Sequence, residues 1–345
     1  MSIQSGLPAD FTPESFDAIV VGAGYAGSVC ARRLAEACGM KVAILERRDH
    51  IAGNAYDYED EAGILVHKYG PHIYHTTNER VDQFLSRFTE WTNYQHKVLA
   101  NIHGTLMPVP FNHKSLKLAF GDEKGERLYQ KLVATFGENK KVPIMELREK
   151  NDPELSEVAD YVFENMLEHD LISVFTGVDA RDILSVGDSA VTVCGKPYGG
   201  EVIYTGPLDE LFGSDLGALP YRTLDMVFET LDEDQFQPVG TVNYTTSEDF
   251  TRITEFKNMT GQVVPGKTTI MKEYSKAFTP GSDETPYYAI LEDQNLELYR
   301  RYRDRVAGCL NFHAVGRLAE YRYYDMDGVV ASALDLSDEL IAQHN

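Results

Sequence analysis

The sequence has few of the features that mark secreted, membrane or nucleic-acid-binding proteins. Its 345 residues include only four cysteines and one tryptophan, and 54 acidic residues outnumber 32 lysines and arginines. The cysteines lack metal or redox spacing, which predicts reduced thiols in a cytoplasmic protein. No apolar run reaches the roughly 18 residues of a membrane span. The formal charge of −22 disfavours nucleic acid or an anionic membrane as a partner, because both attract basic surfaces.

The first fifteen residues, MSIQSGLPADFTPES, have neither the basic start nor the apolar centre of a secretion signal and predict a loose tail. The chain as a whole has the composition of a globular protein, with 43% apolar and 25% charged residues. Its length predicts about two domains.

A dinucleotide-binding pattern follows the tail, in FDAIVVGAGYAGSVCARRLAEACGMKVAILERR. The apolar run 18–21 predicts a buried parallel strand, and a helix and a second buried strand follow it. Gly22 would make the tight turn, Gly24 would let a pyrophosphate approach the backbone, and Gly27 would let helix and strand pack closely. Glu46 ends the second strand, where its carboxylate can accept hydrogen bonds from ribose hydroxyls. This unit predicts a dinucleotide site without deciding between NAD and FAD.

Three histidines, His67, His72 and His75, lie in the segment GILVHKYGPHIYHT. No carboxylate pattern accompanies them, so they are interpreted as hydrogen-bonding turn residues. The sequence therefore predicts no metal site.

The segment LNFHAVGRLAEYRYYDMDGVVASAL predicts a strand ending at Val315, a polar loop and a helix from about Asp327. Such a late return to the nucleotide-binding sheet is typical of proteins that bind FAD, whose flavin then meets the helix N-terminus. The alternative is an ordinary connection in which the tyrosines cap the edge of the core.

Between these two regions the sequence pattern is first helical and then typical of β-strands. Helical periodicity dominates from Leu116 to about His169, whereas YRTLDMVFETL, FQPVGTVNY, TRITEFK and KTTIMKEY predict an antiparallel sheet. The predicted fold class is therefore α/β: a Rossmann-like domain with a parallel sheet, an antiparallel sheet region and a helical domain.

Ten segments between about Phe16 and Leu334 occur in a recognisable order: GAGYAG, ERRDHIAGNAYD, HKYGPHIYHT, VPFN, VIYTGPLDELF, PYRTL, TRITEFK, TTIMKEY, PYYAI and GRLAEYRYYDMD. In this order they resemble the bacterial UDP-galactopyranose mutase family of flavoenzymes. The resemblance implies an isomerase that interconverts UDP-galactopyranose and UDP-galactofuranose through an adduct between the sugar and reduced FAD, for galactofuranose in cell-surface glycans. It also implies a cytoplasmic protein that can form a homodimer.

The resemblance also implies roles for individual residues. The substrate would be bound by His96, Asn243, Arg252, Tyr288 and Tyr323. Of these, Arg252, Tyr288 and Tyr323 would serve catalysis by meeting the diphosphate of the departing UDP. The FAD would be bound by Gly22, Gly24, Ala26, Gly27, Glu46, Asn54, His72, Ile73, Arg317, Tyr324, Asp325, Met326 and Asp327.

The predicted domain pieces alternate along the chain. They are a tail at 1–15, the FAD-binding domain at 16–85, 171–217 and 291–345, a substrate-side β segment at 86–112, a shortened helical domain at 113–170 and the antiparallel sheet at 218–290.

The helical domain departs from the family pattern. In the family, one segment of this domain begins and ends with a helix and carries several dozen residues between the two. In this chain, ADYVFENMLEHDLISV joins the pattern of the first helix directly to that of the last helix, at the letters FEN, so the residues between them are absent. The absent part would carry the aromatic residues that stack on uracil and a mobile loop with an arginine. Two smaller departures are Ala52, in place of a usual glycine, and Tyr74, where phenylalanine is common.

The departure leaves three alternatives beside a mutase. A truncated homologue could bind FAD and a nucleotide sugar with weak or no activity. An NAD-dependent oxidoreductase would need a recognisable Tyr-Lys or His-Asp pair, which the sequence does not offer. A flavin amine oxidase would share the nucleotide motif but should lack TRITEFK and the run of tyrosines.

Overall fold

Two large sheets organise the chain. The computed structural model describes residues 2–94, 96–109, 112–136, 155–156, 166–187, 189–244, 248–282 and 284–344. The strands are β1 (Ser2–Ser5), β2 (Ala18–Val21), β3 (Val42–Leu45), β4 (Asp57–Glu59), β5 (Leu65–His67), β6 (Thr92–Asn93), β7 (Val98–Ile102), β8 (Thr105–Val109), β9 (Leu155–Ser156), β10 (Ile172–Thr176), β11 (Leu184–Val186), β12 (Val191–Val193), β13 (Lys196–Pro197), β14 (Glu201–Tyr204), β15 (Tyr221–Leu231), β16 (Thr241–Tyr244), β17 (Arg252–Glu255), β18 (Thr268–Ala277), β19 (Tyr288–Ala289) and β20 (Phe312–Ala314). The helices are α1 (Tyr25–Cys38), α2 (Glu79–Leu85), α3 (His113–Phe120), α4 (Asp122–Phe136), α5 (Leu208–Leu211), α6 (Lys257–Thr260), α7 (Asp293–Val306) and α8 (Met326–His344).

The first sheet is parallel and has the strand order β1-β10-β3-β2-β14-β20. Its central strands are apolar and buried because both faces are covered, as is usual for parallel sheets. Helices α1 and α8 pack against each other on one face. The predicted strand 18–21 and the Rossmann-like architecture are confirmed.

The N-terminal segment forms the edge of this sheet. Residues Ser2–Ser5 pair in parallel with β10, with Gln4 opposite Phe175, and the N–H of Gly6 donates to the carbonyl of Thr176 over 2.7 Å. The prediction of a loose tail is therefore wrong for these residues. An edge strand is held by its backbone hydrogen bonds and does not need apolar side chains, so the polar segment SIQS could not be recognised as a strand from its sequence.

The second sheet has seven strands in the order β19-β15-β18-β17-β16-β7-β8. All neighbours in it are antiparallel except β16 and β7. The four strands predicted between residues 221 and 277 are confirmed, and the long strands β15 and β18 pair over ten residues of each.

The predicted helical region begins with α3 and α4, and residues 166–167 near its end are also helical. The side chain of Asn112 caps α3 by accepting hydrogen bonds from the N–H groups of Lys114 and Ser115. Within the region predicted to be helical, Leu155–Ser156 pairs with β6 as a short strand. The predicted join at FEN, residues 163–165, lies outside the described residues, and the domain boundaries stay a prediction.

Among the described residues, no helix is both long enough and apolar enough to cross a membrane.

Candidate functional site

A cavity of about 350 Å³ opens at the carboxyl ends of the parallel strands. Its walls come from the turn after β2, the acid after β3 and the residues that follow β14 and β20. Ligands of open parallel sheets bind at this edge, because the connecting loops diverge there. Of the residues predicted for the cofactor, Gly22, Gly24, Ala26, Gly27, Glu46, Asn54, His72, Arg317 and Met326 line the cavity, together with the predicted substrate residue Tyr288.

The glycines of the turn are required by close contacts. Gly22 has a φ of +99°, and a β-carbon there would lie 2.1 Å from Oγ1 of Thr205. A β-carbon on Gly27 would lie 2.0 Å from the carbonyl oxygen of Gly22. Gly24 is the N-cap of α1 and has no side chain to shield the first N–H groups of the helix. These N–H groups and the helix dipole provide a place for an anion such as a pyrophosphate.

Glu46 is fixed by the backbone at the end of β3. One of its carboxylate oxygens accepts the N–H of Ala23 at 2.8 Å, and the other accepts the N–H of Arg48 at 2.9 Å. The side chain is buried, yet each oxygen keeps a second lone pair for a ribose hydroxyl. The position therefore suits the role predicted for this acid.

Two arginines after Glu46 also line the cavity, although the sequence analysis assigned them no role. Arg48 donates to the side-chain oxygen of Asn54 at 2.7 Å, and its guanidinium lies 4.1 Å from the ring centroid of Tyr69. Burial raises the pKa of Tyr69, so its hydroxyl stays protonated. The signal for Arg47 and Arg48 was the pair of cations in ERRDH, directly after the ribose acid.

His72 also lines the cavity, and its Nε2 lies 3.2 Å from Oδ1 of Asp57. The stated reason for excluding a metal, the lack of a carboxylate beside the histidines, was wrong, because Asp57, His67 and His72 bring their ligand atoms within 4.8 Å of one another. Even so, Nδ1 of His67 accepts the backbone N–H of His72 at 3.1 Å, so the proton of the neutral ring lies on Nε2, and the nitrogen that faces Asp57 has no lone pair for a metal. The absence of a metal stays a prediction.

Arg317 lies between two of the predicted substrate tyrosines at the edge of the cavity. Its guanidinium is 5.6 Å from the ring centroid of Tyr288 and 4.8 Å from that of Tyr323, and it donates to the carbonyl of Tyr287 at 3.1 Å. Both substrate tyrosines keep 40–48% of their surface exposed, so they can meet a ligand. Burial, followed by the charge of Asp325, raises the pKa of Tyr323, which keeps its hydroxyl a hydrogen-bond donor.

Four predicted cofactor residues, all within the described chain, do not line the cavity: Ile73, Tyr324, Asp325 and Asp327. Tyr324 donates instead to Glu320, which also accepts the N–H of Gly316 at 2.9 Å. Asp325 accepts the hydroxyl of Tyr323, and Asp327 accepts that of Thr76. These contacts hold the loop and the start of α8, from which Met326 faces the cavity.

A second group of predicted residues lies on the antiparallel sheet. The Nε of Arg252 donates to the side-chain oxygen of Asn243 at 3.1 Å, and the guanidinium lies 3.4 Å from Glu273. His96 is close enough that burial and the charge of Arg252 together lower its pKa, so the imidazole is neutral. Its Nδ1 lies 3.3 Å from the hydroxyl of Tyr94. Sequence reasoning missed Glu273, whose only signal was its place opposite Arg252 in a neighbouring strand.

The two groups are not in contact with each other. Tyr288 lies on β19 and Arg252 on β17, which are three strand spacings apart in the same sheet. At 4.7–4.9 Å per spacing this amounts to about 14 Å across the sheet. The residues predicted to meet one diphosphate therefore form two clusters, one at the cavity and one further along the sheet.

The cavity residues fit a dinucleotide cofactor. The open helix N-terminus suits a pyrophosphate, Glu46 suits a ribose, and Arg48 and Arg317 add cations to a chain that is acidic overall.

Comparisons with known proteins show which family the chain resembles. The sequence profile of the UDP-galactopyranose mutase family matches residues 159–323, and that of an NAD(P)-binding Rossmann-like domain matches residues 20–88. A probable UDP-galactopyranose mutase of Klebsiella pneumoniae is 30% identical, with 94% of each chain covered. The UDP-galactopyranose mutase of Mycoplasma pneumoniae is 29% identical over 94% of this chain and 96% of its own. A dTDP-fucopyranose mutase of Escherichia coli is 28% identical over 92% and 96% of the two chains.

The alignments with these relatives span 367 to 386 positions, more than the 345 residues of this chain. The relatives therefore carry residues with no counterpart here, as the shortened helical domain predicts. The place of the gap at FEN stays a prediction.

Among solved structures, the fold resembles that of a reduced UDP-galactopyranose mutase, with a TM-score of 0.69, 14% identity, and 95% and 94% of the two chains covered. The predicted fold class, enzyme class and flavin cofactor are confirmed with the family. With its Rossmann cavity and its near-complete match to the curated mutases, the chain belongs to the UDP-galactopyranose mutase family of flavoenzymes.

Proposed function

We propose that the chain interconverts UDP-galactopyranose and UDP-galactofuranose with FAD bound in the cavity. One observation supports this most directly: Arg317 lies over the rings of Tyr288 and Tyr323 where the cavity meets the antiparallel sheet. Cofactor and sugar nucleotide would meet at this junction. When bound and reduced, FAD supplies the nucleophile of the reaction.

The cofactor would be held mainly by backbone groups and fixed charges. The N–H groups at Gly24 and the guanidinium of Arg317 would meet the pyrophosphate, and Glu46 would bind a ribose. Asn54 and His72 would lie along the cofactor, and Met326 would lie near the flavin. Four other predicted cofactor residues do not line the cavity and would act indirectly, by supporting the residues that do: Ile73, Tyr324, Asp325 and Asp327.

The substrate would extend from the cavity edge along the sheet. Tyr288 and Tyr323 would donate to the diphosphate near the sugar, and Arg252 would stabilise negative charge on the departing nucleotide. His96 and Asn243 would line the same path beside Arg252. A separation of about 14 Å between the two clusters matches an elongated ligand better than a single phosphate group.

The proposal also specifies the nucleotide base and the sugar of the substrate. A relative named dTDP-fucopyranose mutase matches almost as well as those named for UDP-galactopyranose. We therefore expect turnover of the UDP sugar, and a dTDP sugar is the comparison that tests the choice.

The first experiment measures cofactor and activity together. The purified protein should be yellow, or become yellow with added FAD, and the dithionite-reduced holoprotein should form UDP-galactopyranose from UDP-galactofuranose by HPLC. The matching dTDP-fucose pair is run beside it. A holoprotein that turns over neither UDP sugar would overturn the proposed activity, and exclusive turnover of the dTDP pair would reassign the substrate.

The second experiment tests the place of the substrate. Arg252→Ala should reduce turnover at least a hundredfold, because removing a donor to developing charge typically costs that much. Arg300→Ala is the matched control, since Arg300 is an exposed arginine of α7 that pairs with Glu297. Equal rates for both variants would show that the substrate does not pass Arg252.

The assembly and the compartment follow the same resemblance. We propose a cytoplasmic homodimer, and light scattering of the purified holoprotein measures its mass directly.

A further inference from the structure

A single carboxylate oxygen ties together the loop between β20 and α8. Oε2 of Glu320 accepts the backbone N–H of Gly316 at 2.9 Å and the hydroxyl of Tyr324. The same oxygen accepts the hydroxyl of Ser332, on α8, at 3.4 Å. Burial, followed by the hydrogen bond to Glu320, raises the pKa of Tyr324, which keeps its hydroxyl a donor. Glu320 does not line the cavity, so any effect on a ligand must pass through the residues that it holds.

The backbone of Gly316 is bonded to Glu320 at two points. Its N–H donates to the carboxylate, and its carbonyl oxygen accepts the backbone N–H of Glu320 at 2.9 Å. Gly316 has a φ of +101°, and a β-carbon there would lie 3.2 Å from that of Ala26 in the first turn of α1. Both residues line the cavity. The two hydrogen bonds therefore fix the turn after β20 close to the helix N-terminus at which the pyrophosphate is expected.

The same loop carries Arg317 near its start and Tyr323 near its end. Arg317 directly follows Gly316, and Tyr323 directly precedes Tyr324. Each of the two is thus one residue away from a group that donates to Glu320. The guanidinium of Arg317 lies 4.8 Å from the ring centroid of Tyr323, so the two side chains meet across the loop.

We infer that Glu320 is a positioning residue that sets Arg317 and Tyr323 at the place where cofactor and substrate meet. The inference rests on the proposed function, which assigns Arg317 to the pyrophosphate of FAD and Tyr323 to the diphosphate of the substrate. Because one carboxylate holds both ends of the loop, its loss should weaken the cofactor contact and the substrate contact together.

The affinity for FAD tests the cofactor contact in the full chain. Glu320→Ala should weaken FAD binding about tenfold in a fluorescence titration, because the turn beside Arg317 loses a hydrogen-bond acceptor. Glu320→Gln should stay within about threefold of the unmodified chain, since its amide oxygen can accept the same hydrogen bonds. Glu339→Ala, which changes an exposed glutamate of α8, is the matched control and should leave the affinity unchanged. Unchanged affinity in Glu320→Ala overturns the inference, and a Glu320→Gln as weak as Glu320→Ala overturns it by assigning the effect to charge.

A double-variant cycle separates positioning from a general loss of stability. If Glu320 acts through Arg317, the effects of Glu320→Ala and Arg317→Lys on FAD affinity should not add. The double variant should then bind FAD about as weakly as the weaker of the two single variants. Fully additive effects would show that the two residues act independently and would contradict the inference.

The substrate contact is tested in the FAD-saturated, dithionite-reduced holoprotein. Glu320→Ala should raise the KM for UDP-galactofuranose about tenfold, because the loop that presents Tyr323 is no longer held. An unchanged KM would overturn the substrate half of the inference. An unmodified holoprotein without turnover contradicts the proposed function instead, and the FAD cycle still decides the role of Glu320.

A second set of variants keeps the test decisive if Glu320→Ala does not fold. Tyr324→Phe combined with Ser332→Ala removes two of the donors and leaves the carboxylate in place. This chain should bind FAD at least about threefold more weakly than the unmodified chain. Equal affinity would show that the hydrogen bonds to Glu320 do not set the position of Arg317.

Discussion

The guanidinium of Arg252 lies 3.4 Å from the carboxylate of Glu273, its partner in register on the neighbouring strand. Glu273 is 5% exposed, and burial raises its pKa even though the charge of Arg252 opposes that shift. The arginine predicted to bind the substrate is thus held by a buried carboxylate, and burying the charge of that carboxylate lowers the stability of the fold.

Replacing this carboxylate should separate stability from activity. The folded chain takes up the proton of Glu273 more readily than the unfolded chain does, so ionising this group destabilises the fold as the pH rises above about 4.5. Glu273→Gln should therefore gain stability relative to the unmodified chain between acidic and neutral pH, measured by urea unfolding. Its turnover should fall about tenfold, because Arg252 loses its anchor. A variant with unchanged turnover would show that the ion pair does not position Arg252.

Acid should destabilise the fold through His67. Its pKa of about 3 in the folded chain lies below the ordinary 6.5, so the unfolded chain binds the proton first as the pH falls. The stability is complete above pH 6.5 and decreases toward pH 3, at about 1.4 kcal/mol for each unit of separation. His67→Asn keeps an acceptor near the position of Nδ1 and removes this titration, so its unfolding free energy should depend less steeply on pH in that window. His75→Asn, which changes an exposed histidine, should keep the original slope.

The two glycines of the nucleotide turn should respond differently to alanine. A β-carbon on Gly27 would lie 2.0 Å from a backbone oxygen, so Gly27→Ala should lower the unfolding free energy by about 3 kcal/mol. A β-carbon on Gly24 has its nearest contact at 3.7 Å, on Cα of Gly53, so Gly24→Ala should fold normally. It should still bind FAD at least tenfold more weakly, because the methyl group keeps the pyrophosphate from the backbone. Unfolding of the FAD-free chain and a fluorescence titration with FAD measure the two effects, and normal FAD affinity in Gly24→Ala would place the pyrophosphate elsewhere.

Arg317→Lys should weaken FAD binding about tenfold. A lysine keeps the charge but cannot stack a planar guanidinium on Tyr288 and Tyr323, and each such contact contributes about 0.5–1 kcal/mol. Arg322→Lys is the control, since Arg322 is an exposed arginine that lies over Tyr324. Equal FAD affinity in the two variants would contradict a cofactor role for Arg317, and a higher KM for the sugar nucleotide would move it to the substrate.

The features that were predicted best from the sequence are those that depend on the spacing of residues close together in the chain. The strand Ala18–Val21, the glycine turn and the buried Glu46 lie where the pattern put them, because each depends on neighbours within about thirty residues. The helix expected from about Asp327 begins at Met326.

Contacts between distant strands could not be predicted in the same way. Asp57 meets His67 only through the register of a hairpin, and Arg252 meets Glu273 only through the pairing of two strands. The distance between Tyr288 and Arg252 could not be predicted either. The resemblance assigned a role to each residue separately and did not show that two strands lie between them in the sheet.

The order of strands in the parallel sheet constrains how the molecule can fold. Its six strands come from residues 2–5, 18–21, 42–45, 172–176, 201–204 and 312–314, and α1 packs on α8 from the far end of the sequence. The nucleotide-binding half therefore cannot be completed on the ribosome until nearly the whole chain has emerged, and β1 must wait for a partner about 170 residues later. During synthesis the apolar strands β2 and β3 remain without half of their neighbours, so their unpaired edges and apolar faces stay exposed until the later strands arrive.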